Sequence, residues 1–272
     1  MGQKWTLSLW GTRGAVPVAA AEYLEYGGNT SCVSVRCGQR LVVFDAGSGI
    51  VRLGGALAAA GEVGEVHIFL SHLHLDHVLG LAAFPLLGDR QARLYLYGEA
   101  RGGMSFQEQL DRLFGPPYWP LGLAEFQARV AVREIGPGQR ISLEEGLYVD
   151  TLRGCHPNQS LLYRLEGAGR SVVYALDCEL AGDMETRLAE FARDCSVLIW
   201  DANFVQADLR RGWGHSTWEQ GAVLRREAGA KLALMTHFSH AYPDSFLREQ
   251  ERMARERDPA VRFAREGMEL LI

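Results

Sequence analysis

The segment VHIFLSHLHLDH, residues 66–77, constrains this chain more than any other. Its first five residues read as a short buried strand. The strand runs directly into His72, His74, Asp76 and His77, four residues of metal-ligand type within six positions. A histidine-rich surface loop has no need of a buried strand immediately before it, whereas α/β sheets present their chemistry at the carboxyl ends of strands. On an extended backbone His72 and His74 face the same way. Asp76 and His77 follow once the chain turns, so they address a neighbouring point in space. That arrangement suits two divalent metal ions. Imidazole and carboxylate together favour zinc, with manganese or iron as alternatives, over magnesium or calcium.

Two ions need roughly seven or eight donor contacts. Further candidates are His156 in RGCHPNQS, Asp177 closing SVVYALD, and His237 closing KLALMTH. Each falls at or just beyond the end of a predicted strand. Strands are expected at 4–10, 32–36, 40–44, 66–70, 93–97, 129–134, 147–153, 160–165, 171–176, 196–202, 231–237, 260–264 and 268–272. Helices are expected at 50–60, 78–87, 104–114, 183–193, 216–228 and 244–256. Mixed elements in both halves predict an α/β protein of layered sheets with helices outside, and not a doubly wound parallel sheet. With 47% hydrophobic residues and no linker-like stretch, residues 1–272 are expected to form one domain.

The net charge of −5 offers no basic face for long nucleic acid. A compact phosphorylated ligand needs only a few local cations. No apolar run is long enough for a bilayer, so no membrane partner is expected. Cys32, Cys37, Cys155, Cys178 and Cys195 form no CxxC pair and read as free thiols of a cytoplasmic protein.

On these residues the chain resembles the metallo-β-lactamase superfamily, along nearly its whole length. The implied fold is an αββα sandwich, two mixed sheets flanked by helices, with the site at one edge. By resemblance, one metal takes His72, His74 and His156, and the other takes Asp76, His77 and His237. Asp177 bridges them together with a hydroxide. Three further segments resemble the phosphodiesterase branch, which includes ribonuclease Z and phosphoribosyl cyclic phosphodiesterases. They are the opening turn WGTRGAVP, the segment GWGHST around His215, and LMTHFSHAY. The branch's usual Arg before the last Tyr is Ala241 here.

The resemblance makes Asp76 and His215 the candidate catalytic residues, with His215 as general acid held by a carboxylate such as Asp201. The plainer reading is that His215 caps the helix starting near Ser216. Asp45 is expected to support the metal loop. Arg13, Asn29 and Thr30 would either meet phosphate or hold their own loop. The aromatic and proline-rich stretch 115–126 would close over a base or pack on the core or a second subunit of a homodimer. The expected activity is hydrolysis of a small cyclic phosphate or cyclic nucleotide. The alternatives are a ribonuclease Z-like endonuclease, whose long RNA-gripping arm is missing between Asp177 and His215, and a non-hydrolytic metal-binding or redox sensor.

Overall fold

The computed structural model describes residues 4–62 and 64–272. The first sheet contains β1 (Trp5–Gly11), β2 (Cys32–Cys37), β3 (Arg40–Phe44), β4 (Glu65–Phe69), β5 (Arg93–Gly98) and β6 (Arg129–Glu134) in that order. The second runs from β7 (Arg140–Glu144) through β8 (Leu147–Gly154), β9 (Ser160–Gly167), β10 (Arg170–Ala175), β11 (Val197–Asp201) and β12 (Leu232–Thr236) to β13 (Val261–Phe263). The last strand, β14 (Glu269–Leu271), returns to pair with β1, so both ends of the described chain share a sheet. Strands β3 to β6 are mutually parallel, as are β10 to β13.

Alternating apolar positions on both sheets build the central layer. Trp5, Phe44, Phe69, Tyr163 and Tyr174 meet there, with Phe44 stacked on Tyr174 at 5.2 Å. Each such side chain contributes about 2–3 kcal/mol when fully buried. Helices α1 (Ile50–Ala59) and α3 (Phe106–Leu113) cover the outer face of the first sheet. Helices α4 (Met184–Phe191), α5 (Trp218–Glu227) and α6 (Asp244–Arg257) cover that of the second. The order helix, sheet, sheet, helix matches the expected sandwich.

Two elements depart from expectation. The helix expected at 78–87 is only the four-residue α2 (Leu75–Val78), followed by 3-10 turns at Leu81–Ala83 and Pro85–Gly88. Pro85 disfavours helical backbone at Phe84, which is extended at φ −66° and ψ 117°. Strand β7 was not expected. It is a short edge strand whose alternation never reaches full burial, so its apolar signal is weak. Among the described residues no helix is long and apolar enough to cross a membrane.

Candidate metal centre

The carboxyl ends of the parallel strands from both sheets meet at one edge, and the ligand-type residues collect there. The loop after β4 carries His72 and His74, while Asp76 and His77 sit on α2. From the second sheet come His156 after β8, Asp177 after β10 and His237 after β12. Asp45, Asp177 and His237, each just past a strand end, take left-handed backbone at φ 59°, 51° and 62°. This conformation breaks the strand at once and is uncommon outside glycine, with Asp, Asn and His its most frequent other occupants.

Two donor sets emerge, and Asp177 faces both. Its Oδ2 lies 3.4 Å from His72 Nε2 and 3.3 Å from His156 Nε2, and His156 Nε2 is 3.2 Å from His74 Nδ1. Its Oδ1 lies 3.1 Å from His237 Nε2 and 3.4 Å from His77 Nε2. Asp76 Oδ2 joins the second set, 3.2 Å from His237 Nε2 and 3.3 Å from His77 Nε2. These are longer than typical hydrogen bonds between charged partners. A tetrahedral ion with ~2.0 Å bonds holds neighbouring donors about 3.3 Å apart.

Buried atoms without partners support the same reading. His72 Nε2, His77 Nε2 and Asp177 Oδ1 are buried and make no hydrogen bond among the described residues. Asp45, Asp76, Asp177 and Asp201 are all buried, and among the described residues their ion-pair partners are histidines alone. Buried charge of one sign is costly without compensation, and cations between the two sets would supply it. Burial pushes the His77 and His237 rings down, but the carboxylates around them outweigh it: His77 rises well above its ordinary value and His237 to about 10. For His72, burial and neighbouring His77 act together and hold the ring neutral.

A second layer fixes the ligands. Asp45 Oδ2 is 2.6 Å from His77 Nδ1 and accepts from Ser71 Oγ and Tyr174 Oη at 2.8 and 2.7 Å. This turns His77 Nε2 toward the cluster, as a carboxylate behind a ligating histidine does. The Ala15 amide donates to Asp76 Oδ2 at 2.8 Å. His156 Nδ1 donates to the Gly214 carbonyl at 2.9 Å, which leaves Nε2 for the cluster. Gly214 has φ 79°, and a Cβ there would lie 2.2 Å from His156 Nδ1. Gly214→Ala should therefore displace His156 and weaken metal binding about 10- to 100-fold. Titration with a competing chelator checks this, and unchanged affinity would contradict the placement of His156.

His215 lies between the sets, its ring centroid 5.1 Å from that of His156 and 5.3 Å from that of His237. Its Nδ1 meets Asp201 Oδ2 at 2.9 Å. Burial opposes protonation of this ring, and Asp201 outweighs it and raises the pKa. Asp201 is itself held by the backbone amides of Asp177 and Asn203. The cap of α5 is Thr217, whose side chain accepts from the Gln220 amide, so His215 does not cap that helix.

Several residues read from the sequence lie elsewhere. Arg13 is fully buried and donates to the carbonyls of Gly27 and Tyr242, with Asp244 at 3.6 Å. Asn29 is tied to Glu266, and Thr30 accepts from the Ser48 amide. All three hold the long first loop and none is left to meet phosphate. Phe114 and Leu123 pack into the outer layer of the first sheet, while Tyr118 points to solvent. A cavity of about 560 Å³ opens instead beside His72 and His74, lined by Arg101, Met104, Gln109 and Asn158. Sequence reading missed these four, which have no shared spacing; topology alone gathers them.

The family described as the Beta-lactamase superfamily domain matches residues 40–238. Ribonuclease BN of Cronobacter sakazakii is 30% identical over 257 residues, covering 74% of this chain and 80% of that protein. The metallo-β-lactamase fold protein YhfI of Bacillus subtilis superposes with a TM-score of 0.75 at 20% identity, over 99% of this chain and 100% of that one. A diphosphatase from the PhnP family superposes with a TM-score of 0.67 at 21% identity, over 100% and 98%.

Proposed function

Because the chain belongs to the β-lactamase superfamily, we propose that its strand-end cluster is a dinuclear metal centre that hydrolyses a small cyclic phosphate or cyclic nucleotide. His72, His74 and His156 would hold one ion, Asp76, His77 and His237 the other, and Asp177 both. The observation that carries this reading is the division of Asp177, with one oxygen toward each donor set. Divalent ions bound there supply Lewis acidity to phosphoryl oxygens and a water of lowered pKa. Zinc suits the donor set best, with manganese or iron as alternatives.

The chain's own groups supply the rest. Asp201 fixes the His215 ring through Nδ1, so Nε2 is the nitrogen that meets substrate. From there it gives a proton to the departing oxygen, which otherwise leaves as an unstable alkoxide. The paired donor sets and the oriented His215 argue for hydrolysis over a purely sensing role, since a sensor needs no proton donor.

The relative named ribonuclease BN favours a second reading, cleavage of RNA. Against it stand the net charge of −5 and the short span between Asp177 and His215, which carries no long RNA-gripping arm. Metal-loaded protein should hydrolyse 2′,3′-cyclic AMP or bis(p-nitrophenyl) phosphate with a higher kcat/KM than a tRNA precursor at physiological salt. Efficient, position-specific cleavage of the precursor would reverse the preference. A lactam and a thioester assayed alongside separate this chemistry from others the fold hosts.

A further inference from the structure

We propose that Trp213 is the face on which the base of the substrate stacks, which makes the substrate a nucleoside phosphodiester in preference to a plain sugar phosphate. This rests on the phosphodiesterase reading of the same site.

Trp213 is 54% exposed, and the backbone on either side of it is tied down. The amides of Gly212 and Gly214, on either side of it, both donate to Glu179 Oε2 at 2.7 and 3.2 Å. Both glycines take left-handed backbone, at φ 80° and 79°. The Gly214 carbonyl holds His156, and His215 follows directly. The backbone that carries the indole is thus tied to a metal-ligand candidate and adjoins the proton donor. A large apolar ring left half in water exposes a face that an aromatic partner would cover.

The surroundings say what that partner is. The Arg210 guanidinium lies 4.7 Å from the Trp213 ring centroid. The Phe204 ring is 6.4 Å from Trp213 and 5.9 Å from His215. An aromatic path therefore leads from the proton donor to solvent. A substrate whose departing oxygen meets His215 through its ribose would carry its base along this path, toward Trp213. Base–aromatic stacking with an adjacent Arg is the common means of holding a nucleobase without reading its edges. The cavity beside His72 and His74 does not compete as a phosphate site. Its cation, Arg101, is already committed to Glu99 and to the carbonyls of Ser71 and Gln159. It offers no uncommitted charge for the second phosphate of a phosphosugar.

The test measures binding of AMP and of ribose 5-phosphate to the metal-loaded full-length chain by calorimetry. Wild type should bind AMP at least about tenfold more tightly. In Trp213→Ala the ratio of the two affinities should fall about tenfold or more, and Trp213→Phe should recover most of it. Equal affinities in wild type, or a Trp213→Ala ratio equal to that of wild type, overturns the proposal. The phosphodiesterase reading fails by a different result, no hydrolysis of any phosphodiester by wild type, and the binding contrast does not depend on turnover.

Discussion

Asp177→Ala should cost at least about a thousandfold in turnover, the scale of several kcal/mol of lost metal-centred stabilisation. It should also leave fewer than two ions per chain. Among the described residues Asp177 is the one whose oxygens face both donor sets, so its loss removes a contact from each. The Asp177→Asn variant keeps the shape and removes the charge. It should show the same direction of loss with the fold intact by circular dichroism. Metal content by mass spectrometry and steady-state kinetics check both. Two ions per chain and wild-type turnover in Asp177→Ala would refute the bridging assignment.

His215→Ala should slow turnover by about a hundredfold to ten-thousandfold while both ions stay bound. The ring lies outside the two donor sets just described and is anchored on Asp201. The loss should be largest for 2′,3′-cyclic AMP, whose ribose alkoxide needs a proton to leave. It should shrink for bis(p-nitrophenyl) phosphate, whose nitrophenolate departs unaided. Equal and small losses on both esters would leave His215 a packing residue. Loss of metal would make it a ligand.

The clustering of the candidate donors was largely legible because metal chemistry restricts donor types and places them at strand ends. His72, His74, Asp76 and His77 stand together in sequence, while His156, Asp177 and His237 each follow an apolar run that reads as a strand. Asp201 entered only as one carboxylate able to hold His215, and the structure brings its Oδ2 to 2.9 Å from the ring. What stayed hidden depends on tertiary approach. Nothing near Arg13 in sequence says that its guanidinium meets carbonyls more than 220 residues away. The Gly214 carbonyl behind His156 and the Ala15 amide behind Asp76 are backbone groups, which carry no residue-type signal at all. The expected helix at 78–87 is cut short because its apolar residues satisfy helical spacing while Pro85 lacks an amide donor and holds Phe84 extended.

The left-handed backbone at Asp45 and Asp177 governs which substitutions can ever be tried there. For most side chains that conformation costs roughly 1–2 kcal/mol, and Asn and Asp are the residues that escape much of it. Aspartate codons reach asparagine and glycine by a single nucleotide change, so the neighbours that best fit the chain's path are also ones that strip the carboxylate charge. Mutational drift at these two positions would thus preserve the sandwich while silencing the chemistry. A descendant with Asn at 45 and 177 would keep this shape as an inert scaffold, free to be recruited for binding alone.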